Sequence, residues 1–200
     1  MAYRIGLTGN IGCGKTTVGE MLQELGADYV DADQLVHQLL GADSPIVDQV
    51  AKRFGTDLLK ADGSIDRRRL GAIVFADAAA LRELEALLHP AVRVVVRRRM
   101  AEATAPAIVV DAIKLIESGL YKEMDSVWVV TCESADQQRR LIQLRGLTVE
   151  EVRARVAAQP PQADKLPFAD VVIDNSGAPE ATRRQVIAAW ERSVGANIRP

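Results

Sequence analysis

The segment from residue 9 to residue 16, Gly-Asn-Ile-Gly-Cys-Gly-Lys-Thr, constrains the fold of this chain more than any other. It matches the pattern G-x-x-x-x-G-K-[ST], in which glycines let backbone N–H groups turn inward around phosphate oxygens. An apolar run at residues 4–8 precedes it as a strand, and apolar residues between 18 and 25 follow at helical spacing, up to Gly26. This order of strand, loop and helix predicts a nucleoside triphosphate site.

The loop combines a backbone cradle with two functional side chains. Lys15 is expected to reach the β and γ phosphates and Thr16 to bind Mg²⁺, while the helix that begins here turns the positive end of its dipole toward a phosphate. The residues predicted to contact the nucleotide are Gly12, Cys13, Gly14, Lys15, Thr16 and Thr17. A glycine-rich turn that binds nothing is the weaker alternative, because the pattern and its strand-to-helix setting agree.

Composition predicts one globular domain. The chain has 200 residues, of which 48% are hydrophobic and 26% charged, and its net charge is −2. Lys and Arg are offset by Asp and Glu, which argues against a nucleic-acid partner. No apolar run is long enough to span a bilayer, and no signal-like segment precedes the first strand. We therefore expect a cytoplasmic protein that acts on small molecules, as a monomer or a weak homo-oligomer.

Cysteines and histidines are few. Cys13 lies in the phosphate loop and Cys132 at the end of a predicted strand, and their separation in sequence argues against a structural disulfide. His37 and His89 are the only histidines, so the chain cannot assemble a Cys/His zinc site.

Strand-like runs alternate with helical patterns, which predicts an α/β fold with a parallel sheet covered by helices. The predicted strands are residues 4–8, 29–31, 107–111, 127–131 and 171–173. Helix starts are predicted at Ser44-Pro45, Asp77, Ser134 and Thr148, the last with Glu151 as a capping box. Residues 54–102 show helical patterns without a core strand, which indicates a helical insertion between the second and third strands.

Two predicted strands lead into carboxylates, at the edge where open α/β sheets bind their ligands. Asp33 follows the second strand and is the candidate base for the hydroxyl that accepts a phosphoryl group. Alternatively, Asp31 and Asp33 cap the next helix. Asp111 ends the third strand, where it could position Mg²⁺, as Asp33 also could, although apolar strands that end in Asp are common. Glu117 either shares that cation shell or caps the segment that ends at Gly119.

Arginines are concentrated between the fourth and fifth strands, which is typical of a lid that closes over polyphosphate. They are Arg139, Arg140, Arg145, Arg153 and Arg155. Neighbouring glutamates on the same helix could instead pair with Arg153 and Arg155, so the prediction concerns the cluster more than any one member.

Five segments, in order along the chain, resemble the dephospho-CoA kinase family. They are the phosphate loop preceded by Leu7-Thr8, Val30-Asp31-Ala32-Asp33, the hexapeptide at residues 62–67, Leu88-His89-Pro90 and Asp174-Asn175-Ser176-Gly177. The resemblance implies a P-loop three-layer α/β/α fold with a five-stranded parallel sheet, a helical substrate-binding insertion and a lid. It also implies transfer of the ATP γ-phosphoryl group, with Mg²⁺, to the ribose 3′-hydroxyl of dephospho-coenzyme A, the last step of coenzyme A biosynthesis.

The resemblance also implies residue roles and boundaries. Asp33 is then the base, assisted by Lys15 and Arg140, and Asp33 and Asp111 contact the acceptor with His89 and Arg93. Arg140, Arg155 and Asn175 belong to the ATP side, and Gln159 closes the lid stretch. The core comprises residues 1–60, 106–138 and 166–200, the coenzyme A-binding insertion residues 61–105, and the lid residues 139–165. From the residues alone, Leu88-His89-Pro90 is a helix junction at which Pro90 opens a new helix.

The chain departs from the family pattern in two places. Ile113 and Lys114 stand where the family usually has Pro and Leu, between Asp111 and Glu117. In the loop, Asn10 and Cys13 replace the commoner glycine and serine. Two alternatives stay open: another small-molecule kinase, such as a nucleoside monophosphate kinase, and a nucleotide-dependent switch. The Asn-Lys-x-Asp motif of a guanine switch does not occur in the sequence.

Overall fold

A parallel sheet forms the centre of the fold in the computed structural model, which describes residues 1–198. Its strands are β1 (Tyr3–Thr8), β2 (Asp28–Asp31), β3 (Ala107–Asp111), β4 (Ser126–Thr131) and β5 (Val171–Asp174), in the order β2-β3-β1-β4-β5. β1 pairs in parallel with both β3 and β4, and β4 pairs in parallel with β5. The predicted five-stranded α/β architecture is confirmed, and all five predicted strands are present.

Nine α-helices lie within residues 1–198. They are α1 (Lys15–Glu24), α2 (Ala32–Leu39), α3 (Ile46–Phe54), α4 (Arg67–Ala76), α5 (Ala78–Glu102), α6 (Ser134–Arg145), α7 (Val149–Ala157), α8 (Pro179–Ser193) and α9 (Gly195–Ile198). Short 3-10 helices occupy Thr56–Leu58, Leu120–Glu123 and Gln162–Phe168. None of the helices in this range is both long and apolar enough to cross a membrane.

Side-chain caps set several helix starts as the sequence predicts. Thr148 accepts a hydrogen bond from the Glu151 N–H, and Glu151 accepts one from the Thr148 N–H, so the predicted capping box is confirmed. Asp77 accepts from the Ala79 N–H at the start of α5, at 2.7 Å. Each cap satisfies a backbone donor that has no partner within its helix.

The predicted helix junction at Pro90 is wrong. α5 runs without interruption from Ala78 to Glu102, with Pro90 inside it. Proline removes one backbone hydrogen bond from a helix interior and crowds the preceding turn. Here the buried residues Leu84, Leu88, Val92 and Val96 recur at helical spacing on both sides of Pro90. We attribute the continuity of α5 to this apolar face, which is buried on both sides of Pro90.

The described residues form two compact units, one of residues 1–30 and 100–198 and the other of residues 31–99. In the first unit, α1 and α8 pack on the sheet around a core that includes Leu7, Leu22, Trp128, Ile173 and Val186. The second unit is helical, and its core includes Val47, Val50, Leu58, Leu70 and Leu88. Burial of each large apolar side chain stabilises its unit by about 1.5–3 kcal/mol. The division into core, insertion and lid made from the sequence stays a prediction.

Candidate functional site

The phosphate loop joins β1 to α1 and has a backbone that requires glycine. Gly12 and Gly14 have φ values of 78° and 86°, in the left-handed region that L side chains rarely adopt. A Cβ atom on Gly14 would lie 2.1 Å from Asn175 Nδ2, and one on Gly9 would lie 2.4 Å from the Val130 carbonyl oxygen. The glycines of the loop pattern are therefore required for two reasons: the positive φ angles of the backbone and the close approach of Asn175 and Val130.

Residues of α6 and of the segment after α7 hold the first half of this loop. Gln159 accepts a hydrogen bond from the Ile11 N–H at 2.9 Å, and Gln137 on α6 donates to the Ile11 carbonyl at 2.7 Å. Asn10 donates through Nδ2 to the Pro160 carbonyl at 2.9 Å. These three hydrogen bonds fix the loop, which lowers the entropic cost of forming the cradle. The sequence analysis assigned Gln137 no contact with the loop.

Arg140 and Asn175 hold the second half of the loop. Asn175 is buried and donates to the Cys13 carbonyl at 2.8 Å, while its own Oδ1 accepts from Thr182 at 2.9 Å. Arg140 donates to the Asn175 carbonyl at 2.6 Å and to the Cys13 carbonyl at 3.5 Å. The structure therefore brings together two residues that the sequence places far apart, and it holds them against the loop.

A cavity of about 360 Å³ opens on this loop. Most of the predicted nucleotide contacts line it, namely Gly12, Gly14, Lys15, Thr16, Thr17, Arg140 and Asn175. Arg145 also lines it, whereas Arg155 is exposed on α7 and is not among the lining residues. Cys13 is fully buried in the core below the loop. The size of this cavity is in the range of sites for small molecules and cofactors.

A buried ion pair connects the loop to the end of β3. Lys15 Nζ lies 3.6 Å from Asp111 Oδ1, and the two side chains are 12% and 8% exposed. Tyr29 on β2 donates its hydroxyl hydrogen to Asp111 Oδ2 at 2.6 Å. Because an isolated charge is costly to bury, each group of this pair compensates the charge of the other. Tyr29 was missed because its position in a short strand carries no chemical pattern.

The oxygen atoms at this edge suit a hard cation. Within residues 1–198 no group of three or more His, Cys, Asp or Glu side chains could hold a metal ion by itself. Mg²⁺, however, commonly takes only one or two carboxylates and completes its shell with substrate phosphates and water. The Thr16 hydroxyl at the cavity and the Asp111 carboxylate at the end of β3 are ligands of this kind. The donor set fits Mg²⁺ bound together with a nucleotide.

Asp31 and Asp33 have different places in the helical unit of residues 31–99. Asp31 is the N-cap of α2 and accepts from the Gln34 N–H at 2.8 Å. Asp33 lies in the first turn of α2, partly buried, and is not the capping residue. His89 and Arg93 are both partly buried and are four residues apart on α5, so they share one face of that helix.

The segment after β3 is anchored by a lysine that the sequence analysis did not single out. Lys165, 3% exposed, donates to Glu117 Oε1 at 2.7 Å and to the Ile113 carbonyl at 3.1 Å. Thr8 donates to the same carbonyl at 3.2 Å. Glu117 is therefore an ion-pair partner, a role that neither sequence-based interpretation included. No periodicity marks Lys165, which lies in a short 3-10 helix.

Two thiols that are distant in sequence meet beneath the loop. Cys13 Sγ and Cys132 Sγ are 3.0 Å apart, and both cysteines are free. The hydrogen bond to Cys132 and burial raise the pKa of the Cys13 thiol. The same hydrogen bond lowers the pKa of Cys132. Their separation in sequence, on which the argument against a structural disulfide depended, does not keep the two thiols apart in the fold.

Comparison with known proteins gives a consistent result. The dephospho-CoA kinase family profile matches residues 3–180. A dephospho-CoA kinase of Symbiobacterium thermophilum is 45% identical over 96% of this chain and 81% of its own length. One of Geobacter metallireducens is 41% identical over 98% of both chains. A solved structure, the dephospho-CoA kinase from Campylobacter jejuni, superposes with a TM-score of 0.72 at 28% identity and covers 99% of this chain and 100% of its own.

Proposed function

The chain belongs to the dephospho-CoA kinase family, and from this premise we propose that it transfers the γ-phosphoryl group of ATP to the ribose 3′-hydroxyl of dephospho-coenzyme A. The products are coenzyme A and ADP, and the reaction is the last step of coenzyme A biosynthesis. The observation that carries the proposal is the family match along nearly the whole chain, joined to a formed phosphate loop whose lysine faces a buried aspartate. The alternatives of another small-molecule kinase or a switch are not favoured.

On the nucleotide side, the cavity supplies backbone N–H groups and cations for the phosphates. Lys15 and Arg140 neutralise phosphate charge, which in phosphoryl transfer is the main contribution of the protein. Thr16 and Asp111 hold Mg²⁺, which when bound supplies positive charge to the phosphate oxygens. Asn175 keeps the loop in shape through the Cys13 carbonyl. We propose that Arg155 is a lid residue that contributes positive charge near the phosphates. Only its position on α7 supports this role.

On the acceptor side, Asp33 takes the proton of the 3′-hydroxyl or orients that hydroxyl for attack. It lies two residues after the end of β2, and open α/β sheets bind their ligands at the carboxyl ends of strands. His89 and Arg93 on α5 contact the acceptor, within the helical segment that we propose as the coenzyme A-binding part of the chain. We further propose that the enzyme works in the cytoplasm, where ATP is available, as a monomer or weak homo-oligomer and without a nucleic-acid partner.

The test is ADP release by the purified protein with ATP and Mg²⁺ across a panel of acceptors. The panel contains dephospho-coenzyme A, AMP, dTMP, CMP and a reaction without acceptor. We expect dephospho-coenzyme A alone to stimulate ADP release strongly, with phosphate transferred to its ribose. A closed lid excludes water, so the reaction without acceptor should be slow.

Each other outcome has a distinct meaning. Stimulation by a nucleoside monophosphate would overturn the proposal in favour of another small-molecule kinase. ADP release that no acceptor changes would favour a switch. A parallel series without Mg²⁺ tests the metal, and retention of the full rate there would remove Mg²⁺ from the proposal.

A further inference from the structure

The inference concerns the thiol pair of Cys13 and Cys132. Cys13 lies in the phosphate loop, and Cys132 follows the end of β4. Their sulfur atoms are 3.0 Å apart, whereas the S–S bond of a disulfide is about 2.05 Å long. The two sulfurs therefore need to approach by only about 1 Å to bond. Both thiols are free, and the phosphoryl transfer proposed above uses neither of them.

A single glutamine side chain forms hydrogen bonds with both cysteines. Gln162 Oε1 accepts from Cys13 Sγ at 3.2 Å and from the Cys132 N–H at 3.2 Å. The Cys13 carbonyl is held in turn by Asn175 at 2.8 Å. The thiol of Cys13 points into the core, while its backbone forms part of the cradle. Hydrogen bonds therefore hold both the thiol and the carbonyl of the same loop residue.

The two thiols differ in access, which sets the order in which they react. Cys132 is partly exposed, whereas Cys13 is fully buried. The hydrogen-bond contact with the Cys13 thiol lowers the pKa of Cys132, and nearby Arg140 acts in the same direction. A partly exposed thiol with a stabilised thiolate is the type of cysteine that attacks small disulfides. Cys132 is then the attacking residue, and Cys13 is the second thiol within reach.

We propose that Cys13 and Cys132 form a redox modification site that accepts small-molecule disulfides and closes to an internal disulfide beneath the phosphate loop. The Cys132 thiolate attacks one sulfur of the small disulfide, forms a mixed disulfide and releases the first small thiolate. Cys13 then gives up its proton and attacks Cys132 Sγ, which expels the second small thiolate. The two protein thiols lose two electrons in total, and the small disulfide gains them to become two thiols.

Closure of this bond changes the loop that binds phosphate. The Cys13 thiol no longer donates to Gln162, and its sulfur moves about 1 Å toward β4. Misplacement of a catalytic group by about 1 Å can lower rates by about 100-fold. We expect the oxidised protein to bind ADP with Mg²⁺ at least about tenfold more weakly and to lose kinase activity in proportion. Reduction restores both, because the fold around the thiols is otherwise unchanged.

The test treats the whole protein with cystamine and follows it by intact mass and peptide mapping. The matched controls are Cys132→Ser and Cys132→Ala, which leave the phosphate loop itself untouched. We expect a loss of two hydrogen atoms from the parent mass, a peptide that links Cys13 to Cys132, and weaker ADP binding by calorimetry. Dithiothreitol should reverse all three, and neither variant should show them.

Neither the detection of the Cys13–Cys132 link nor the measurement of ADP binding uses an acceptor. Their results are therefore independent of the acceptor specificity proposed above. A protein that keeps two free thiols, or that stops at a stable cystamine adduct on Cys132, overturns the modification site. A linked protein with unchanged ADP affinity overturns its effect on the loop. Linked oligomers in place of an internal bond, detected by non-reducing electrophoresis, would also contradict the proposal.

Discussion

Asp31 and Asp33 show how two identical side chains two positions apart acquire different roles. Asp31 accepts a backbone hydrogen bond at the start of α2, and this capping uses its carboxylate for structure. Asp33 belongs to the first turn, where a capping role is already filled. The sequence left both open, because each aspartate precedes the same helical pattern. Asp31 therefore has the capping role that the sequence analysis considered for both aspartates. Asp33 does not have that role and stays the candidate base.

Substitution of Asp33 tests that role. Asp33→Asn keeps size and polarity but cannot accept a proton, so we expect kcat to fall by about 100-fold or more while ATP affinity stays within a few-fold. Asp31→Asn is the matched control, because asparagine caps helices about as well as aspartate. Steady-state kinetics with dephospho-coenzyme A and ATP measure both. If Asp33→Asn keeps its rate within a few-fold and Asp31→Asn does not, the base is Asp31.

Tyr29 is a second case at the scale of one residue. Its hydroxyl hydrogen bonds to Asp111 Oδ2, opposite the oxygen that faces Lys15. Tyr29→Phe removes this donor from a buried carboxylate, which should lower the free energy of unfolding by about 1–3 kcal/mol. We also expect a higher Mg²⁺ concentration for half-maximal rate, because Asp111 is less well oriented.

Urea unfolding and a Mg²⁺ titration of the rate measure these two effects. Tyr121→Phe is the control, since that ring packs against Phe168 and takes no part in the site. If Tyr29→Phe lowers the free energy of unfolding as expected but leaves the Mg²⁺ dependence of the rate unchanged, Tyr29 serves the fold alone.

At the scale of elements, the segment after β3 depends on a contact from a distant part of the chain. Lys165 lies in the 3-10 helix before β5, yet it fixes both Ile113 and Glu117. Here the family's usual proline is replaced by Ile113, so backbone rigidity that proline would supply is absent. We attribute the order of this segment to the buried lysine and to the Thr8 hydroxyl that donates to the same carbonyl.

Removal of the lysine charge tests this anchor. Lys165→Met keeps a long side chain but removes the lysine donor from the Glu117 carboxylate, and it leaves the Ile113 carbonyl with the Thr8 hydroxyl alone. We expect the free energy of unfolding to fall by about 1–3 kcal/mol and kcat/KM to fall with it, because the segment follows Asp111 directly. Urea unfolding and steady-state kinetics measure the two quantities.

The double variant with Glu117→Gln then isolates the ion pair. We expect the two losses to be less than additive, with a coupling of at least about 0.5 kcal/mol, since each substitution removes the same interaction. Additive losses would mean that Lys165 acts through the Ile113 carbonyl alone.

At the scale of the whole molecule, an ion pair at the opposite end of the strands links pH to stability. Arg4 on β1 donates from its backbone N–H and its Nε to Asp125 Oδ2, at 2.9 and 3.0 Å. These hydrogen bonds from Arg4 hold the pKa of Asp125 below its ordinary value of 3.8. A carboxyl group with a lowered folded-state pKa stabilises the fold above its ordinary pKa and loses that effect as the pH falls through the folded-state value.

The lowered pKa of Asp125 predicts how the stability of the protein changes with pH. Asp125→Asn should lower the thermal midpoint at neutral pH, and the difference from the unmodified protein should shrink below about pH 4. Thermal unfolding at a series of pH values measures this difference in thermal midpoint. Asp43→Asn, a substitution at an exposed position, is the control. A difference that stays constant down to about pH 3 would show that Asp125 acts through packing and not through its charge.

The sequence alone determined the class of fold, the five strands, the phosphate loop and the family. Each of these depends on local patterns, since apolar runs, glycine spacing and capping residues act over a few neighbouring positions. The tertiary structure alone decided the contacts between distant segments: Tyr29 with Asp111, Lys165 with Glu117, and the two thiols. It also decided that α5 continues through Pro90, because burial of apolar residues on both sides of the proline outweighs one lost hydrogen bond. Burial and pairing across long sequence separations leave no local pattern, and for this reason only the folded chain reveals them.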